Sequence, residues 1–169
     1  MSETTPIYIF DTSAIIDMHK FYPINRVFPY WRNVDFSISM GRFRAPLFVL
    51  LDIERKDDDI KKWFSSRKSK MAIMPGDFQN NAVKIIERDH KGLVNYRFDR
   101  MNADPFVIAC ALDIINGNQT ILTQEKQLPI IVAQEGERKK ESIPKVCKKM
   151  GLTCISIDQL WEGENWVVK

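Results

Sequence analysis

The sequence predicts an α/β fold of three layers, a central parallel sheet with helices on both faces. Three observations carry this. Short apolar, β-prone runs alternate with stretches of helical spacing along the chain. The first run, Ile7-Tyr8-Ile9-Phe10, passes directly into the good helix caps Asp11, Thr12 and Ser13. Residues 106–112 are apolar all the way round, as suits a helix covered on every side.

In chain order, Ala14 to Met18 reads as a helix that stops before Pro23, and a second helix is expected within residues 28–40. Residues 43–45 suit a short strand, with Pro46 in the first turn of the next helix. There Leu47, Leu50, Leu51 and Glu54 keep helical spacing and Asp52 falls in the middle. Asp57-Asp58-Asp59 opens another helix that closes near Arg67, Lys68 and Lys70, acid at the start and base at the end, as the helix dipole favours. A strand is expected at residues 71–74 and a helix at 77–88. Asp104-Pro105 begins the apolar helix, Asn116-Gly117 supplies its stop, and residues 119–123 read as a strand. The stretch 124–142 is polar and charged, interrupted by residues 129–132. Ile143, Val146, Cys147 and Met150 then give a helix closed by Gly151, residues 152–157 a last strand, and Asp158 a cap for a short final helix.

A length of 169 residues, 44% of them hydrophobic, suits one domain spanning residues 1–169. No run of about eighteen consecutive apolar residues occurs, which excludes a hydrophobic membrane span. The polar start, residues 1–6, lacks a secretory pattern, and Cys110, Cys147 and Cys154 form no Cys-x-x-Cys pair. A reduced cytoplasmic setting is expected. A net charge of +3 permits a polyanionic partner without requiring one.

In open α/β sheets, ligands bind beyond the carboxyl ends of the strands. Asp11 follows the first strand, Glu125 lies two residues past the strand expected to end at Thr123, and Asp104 opens a helix at the same edge. Asp52 is the natural fourth acid. Crowded carboxylates raise one another's pKa, and a hard divalent cation removes that cost. One ion, or two roughly 3.5–4 Å apart, can polarise a phosphodiester and activate a water.

Four segments carry a family resemblance: Phe10-Asp11-Thr12-Ser13-Ala14-Ile15-Ile16; Pro46-x-x-Val49-Leu50-x-Asp52-Ile53-Glu54; Ala103-Asp104-Pro105-Phe106-Val107-Ile108-Ala109; and Ile121-Leu122-Thr123-Gln124-Glu125-Lys126. In this order they resemble the motifs of PIN-domain proteins. The tail, Ile143-Pro144-x-Val146-Cys147 with Gly151, Cys154 and Ile155, resembles a bacterial and archaeal PIN-like branch catalogued as a domain of unknown function. The resemblance implies a PIN-like fold, Mg²⁺ or Mn²⁺, and cleavage of RNA. It also implies kinship with VapC-type toxins, which a protein antitoxin inhibits, and leans toward a homodimer. Asp11 and Asp104 would then be the main metal ligands, with Asp52 assisting and Glu125 acting through water or at a second ion. Thr12, Ser13 and Thr123 would orient those acids by hydrogen bonds. Two departures stand out: Asp52 where relatives usually carry Glu, and Glu125 where many carry Asp.

Simpler roles exist for each feature. Asp11 and Asp104 are also helix caps, Asp52 a solvated helix acid and Glu125 a loop acid. Asp57-Asp58-Asp59 is a helix start. His19 and His90 lack any partner at ligand spacing and read as surface residues. Lys139 and Lys140, beside Arg138, with Arg67, Lys68 and Lys70, are candidate contacts to RNA phosphates, although charge runs are usually solvated faces. Phe21, Tyr22, Phe28, Tyr30 and Trp31 suit a core or a protein-binding face. A dehalogenase-type phosphatase would need a second Asp where Ser13 stands, and the glycine patterns of P-loop and dinucleotide sites are missing. The remaining rival is a PIN-like module that binds RNA or a protein without cutting.

Overall fold

The computed structural model describes residues 4–55, 58–94, 102–120, 126–135 and 140–166. Five strands form one all-parallel sheet: β1 (Thr5–Phe10), β2 (Phe43–Pro46), β3 (Ala72–Ile73), β4 (Gln127–Val132) and β5 (Cys154–Ile155), in the order β3-β2-β1-β4-β5. The chain starts in the middle, winds outward through β2 and β3, then returns to the other side of β1. Helices cover the sheet to give the expected three-layer α/β architecture.

After β1 come α1 (Thr12–Phe21) and α2 (Phe28–Ser39); after β2 come α3 (Leu47–Ile53), α4 (Asp58–Ser65) and α5 (Lys68–Met71). After β3 come α6 (Asp77–Asp89) and α7 (Ala103–Thr120), and after β4 come α8 (Ile143–Met150), β5 and α9 (Ile157–Gly163). Helix α7 packs on β1, β2 and β4, with α6 and α8 beside it. It needs cover all round, and residues 106–111 are indeed buried. Elsewhere α2 packs on β2, and Tyr30 of α2 meets Trp161 of α9 edge-on at 4.6 Å between ring centres. Phe43 of β2 is fully buried and touches the rings of Tyr8 at 5.4 Å, Phe10 at 4.8 Å and Trp166 at 5.6 Å. Among the described residues, no helix is long and apolar enough to cross a membrane.

The structure moves one strand and several boundaries. Asn116-Gly117 does not stop α7, which runs on to Thr120, so Gln119 and Thr120 are helical rather than the start of a strand. The interior Gly117 costs about 1 kcal/mol of helix propensity, which packing along α7 outweighs. The fourth strand is instead Gln127–Val132, inside the segment that looked polar. Pro46 ends β2 and flanks α3, rather than lying inside it, and Asp52 sits near the end of that seven-residue helix. The expected helix after Asp57 is split into α4 and α5. Ser156, not Asp158, caps α9, in a reciprocal box with Gln159.

The Phe43 contacts give a test. Phe43→Ala should cost about 3–5 kcal/mol, read from urea unfolding midpoints at unchanged slope. The same truncation at exposed Phe28 should stay within about 0.5 kcal/mol. Comparable losses at both positions would mean that this core does not anchor the fold.

Candidate functional site

The change of winding direction leaves a crevice where β1 and β4 lie side by side, the usual ligand position in such sheets. Their register pairs Phe10 with Val132, the last residues of the two strands. One step further the Asp11 N–H donates to the Val132 carbonyl at 2.9 Å. The residues that follow each strand are thereby forced together: Asp11, Thr12 and Ser13 from one, Gln134 and Glu135 from the other.

Asp11 caps α1. Its Oδ2 accepts from the Ser13 N–H at 3.1 Å and from the Ser13 hydroxyl. The same hydroxyl oxygen accepts from the Gln134 N–H at 3.1 Å, so Ser13 ties the two loops together. Asp11 is only 2% exposed, and among the described residues its Oδ1 has no hydrogen-bond partner of good geometry; neither does the buried Thr12 Oγ1. Burial pushes the Asp11 carboxyl above the usual carboxylate range, the hydrogen bonds from Ser13 oppose that, and the negative charge of Glu135 adds to it. Glu135 is itself held, its Oε2 accepting from the Ile143 N–H at the start of α8 at 2.8 Å. Gln134 Oε1 accepts from the Ile157 N–H of α9 at 3.3 Å.

A buried carboxylate oxygen without a partner is uncommon, because it forgoes the hydrogen bonds that water would give it. Beside a second carboxylate it becomes a ready oxygen donor for a hard cation. Mg²⁺ typically takes only one or two carboxylates from the protein and keeps several waters. Asp11 and Glu135 fit that donor set.

Asp52 and Asp104 lie on helices that pack together, α3 and α7. Phe48, one turn before Asp52, meets Phe106, two residues after Asp104, at 4.3 Å between ring centres. Asp52 is about a quarter exposed and lies 3.9 Å from Arg55, a loose surface-type pair. Asp104 is half-buried in the first turn of α7. Among the described residues, no three His, Cys, Asp or Glu side chains come together as a cage for a metal. Asp11, Asp52 and Asp104 therefore do not form a preassembled three-acid site.

The model of the family described as a domain of unknown function (DUF4411) matches residues 8–168. The chain belongs to this family. No curated protein matches it. In this DUF4411 chain the two edges of the crevice, Asp11 and Glu135, both fall within the matched region.

Glu125 and Thr123 lie outside the described residues, as does Lys139. Of the strand expected at residues 119–123, Gln119 and Thr120 are helical and the rest lie outside the described residues; among the described residues, the acid that follows a strand into the crevice is Glu135. Sequence reasoning missed Glu135 and Gln134. The signal was present, since Ile130-Ile131-Val132-Ala133 before Gln134-Glu135 repeats the pattern of Ile7-Tyr8-Ile9-Phe10 before Asp11. Lys140 is exposed, while Arg67 and Lys68 are engaged by Asp35 and Glu54. His90 is not a free surface residue but sits half-buried with Nδ1 3.3 Å from Glu141; His19 is half-buried as well.

The raised Asp11 pKa has a definite sign for stability. Below the ordinary value of 3.8 the carboxyl is neutral in folded and unfolded chains alike. As pH rises, the unfolded chain ionises first, and the folded state loses stability until the raised folded value is passed. Without added metal, Asp11→Asn should therefore raise the melting temperature at pH 7, and the gain should shrink as pH falls toward 4. A variant less stable than the parent at pH 7 would show that the buried charge is already well compensated.

Proposed function

We propose that the chain is a PIN-like, metal-dependent ribonuclease, with Asp11 and Glu135 as the ion-holding pair of carboxylates. The observation that supports it best is the unpartnered Oδ1 of buried Asp11, set next to Glu135 at the point where the sheet changes direction. Stability alone gives no reason to bury that oxygen unpaired, and a cation gives one. The order of strands and the position of Asp11 agree with the resemblance of its segments to PIN-domain motifs.

Bound Mg²⁺ or Mn²⁺ would supply polarisation of a phosphodiester and an activated water. The chain's own residues prepare the place. Ser13 holds Oδ2 of Asp11 by two donors, which fixes the carboxylate plane and leaves Oδ1 turned away from those bonds. The same Ser13 fixes the Gln134 backbone, and so the start of the loop that presents Glu135. The positive end of α1 favours the ionised form of Asp11 and draws in a phosphate. Asp104 on α7 and Asp52 on α3 would assist that chemistry as the further acids of the site.

Purified protein should gain thermal stability from Mn²⁺ or Mg²⁺, and Asp11→Asn should abolish the gain. RNA cleavage should be stopped by chelator and by Asp104→Asn. Glu135→Gln, which keeps an oxygen for the Ile143 N–H, should lower activity about 10–100-fold while leaving α8 folded. Cleavage by Asp11→Asn at the parental rate would overturn the site. The toxin part of the proposal predicts slowed growth on expression of the parent and normal growth with Asp104→Asn. A protein antitoxin is then the expected regulator.

A further inference from the structure

Helix α2 buries Tyr30, Trp31, Val34, Ser37 and Ile38 on its inner side. Its outer side is unlike an ordinary solvated helix face. Phe28, Phe36 and the C-cap residue Met40 are 69%, 65% and 61% exposed, with Arg32 exposed between the two phenylalanines. Positions 28, 32, 36 and 40 follow one another at four-residue steps, which places them along one stripe about 18 Å long at the helical rise. Beside Phe36 opens a groove of about 440 Å³ against the α4–α5 connection, lined also by Asp35, Ser39, Ser66, Arg67 and Lys70.

The charge in this region is one-sided. Among the described residues, Asp35 is the one carboxylate lining the groove, and the Arg67 guanidinium grips both of its oxygens while lying 4.2 Å over the Trp63 ring. Lys70 and Arg32, both exposed, make no ion pair among the described residues. The surface is thus an apolar stripe at helical period with cations at its margin. Exposed apolar side chains grouped in this way mark interaction surfaces, and a helical stripe matches a second helix.

We propose that this face of α2 docks an acidic amphipathic helix of a partner protein, with apolar residues on Phe28, Phe36 and Met40 and carboxylates toward Arg32 and Lys70. A second copy of the chain would bring the same cations and no spare groove carboxylate to meet them. A nucleic acid would set its phosphates beside Asp35 and leave Met40 without use. The inference is independent of the nuclease reading, since none of these residues belongs to the Asp11 crevice.

The test uses the full chain and a fluorescent synthetic helix of about sixteen residues, with Leu on one face and Glu on the other. It should bind, and a counterpart with Lys in place of Glu should not. Phe36→Ser with Met40→Ser, and separately Arg32→Glu with Lys70→Glu, should each weaken binding at least about tenfold at unchanged urea midpoint. Four results would overturn the proposal. These are no binding of the Glu peptide, equal binding of the Lys peptide, and binding indifferent to both double variants. The fourth is a concentration-dependent dimer in sedimentation that Phe36→Ser with Met40→Ser dissolves, which would assign the face to self-association instead.

Discussion

The pairing of β1 with β4 is the contact on which the rest of this molecule depends. It joins residues more than a hundred positions apart in sequence and runs unbroken over six residue pairs, from Thr5 with Gln127 to Phe10 with Val132. Both faces of these strands lie under helices, and consecutive Ile9, Phe10, Ile131 and Val132 are all buried. The ladder holds the two strand ends level, and that register brings the segment after Phe10 beside the segment after Val132. The crevice is built by the requirement to bury aliphatic side chains, well before any chemistry is considered.

That construction explains how an expensive arrangement persists. Two carboxylates brought together, one of them almost fully buried with an oxygen unpaired, oppose folding. Net stability of a domain this size is on the order of 5–15 kcal/mol, so such a cost must be carried by other parts of the structure. Here the central strands and the buried residues 106–111 of α7 carry it. Strained or under-satisfied polar groups in natural proteins concentrate where function requires them. Thr12 Oγ1, buried and unpaired next to Asp11, adds to the same local concentration.

Much of the fold was legible in the sequence, and the largest departure lies between α7 and β4. Ile7-Tyr8-Ile9-Phe10 before Asp11, the all-round apolar helix after Asp104, and Gly151 as a left-handed helix stop all follow from local physics, and the structure places them accordingly. Asn116-Gly117 suggested too early an end for the helix. A glycine penalty of about 1 kcal/mol is a local quantity, and burial of residues 106–111 of α7 outweighs it. β4, conversely, begins with exposed Gln127 and Leu128 and contains Pro129, features of an edge strand; only its partners on both sides make it central. Those partners are far away in sequence, which is why local pattern could find Asp11 and not Glu135.

The same distinction separates the two surfaces of interest. In the crevice, polar groups are locked by specific bonds: Ser13 to Asp11 and Gln134, Glu135 to Ile143, Gln134 to Ile157. The Ser13–Gln134 link joins segments more than a hundred residues apart, and the others fix the loops on either side of it. On α2 the exposed residues are bonded to nothing of the kind, and Phe28, Phe36 and Met40 contribute little to the fold. A rigid crevice suits positioning of a small ion and a phosphate, where a misplacement of about 1 Å matters. An apolar stripe suits a partner that brings its own shape. The two regions nevertheless lie on one piece of backbone, since α1 leads from Asp11 through residues 22–27 into α2.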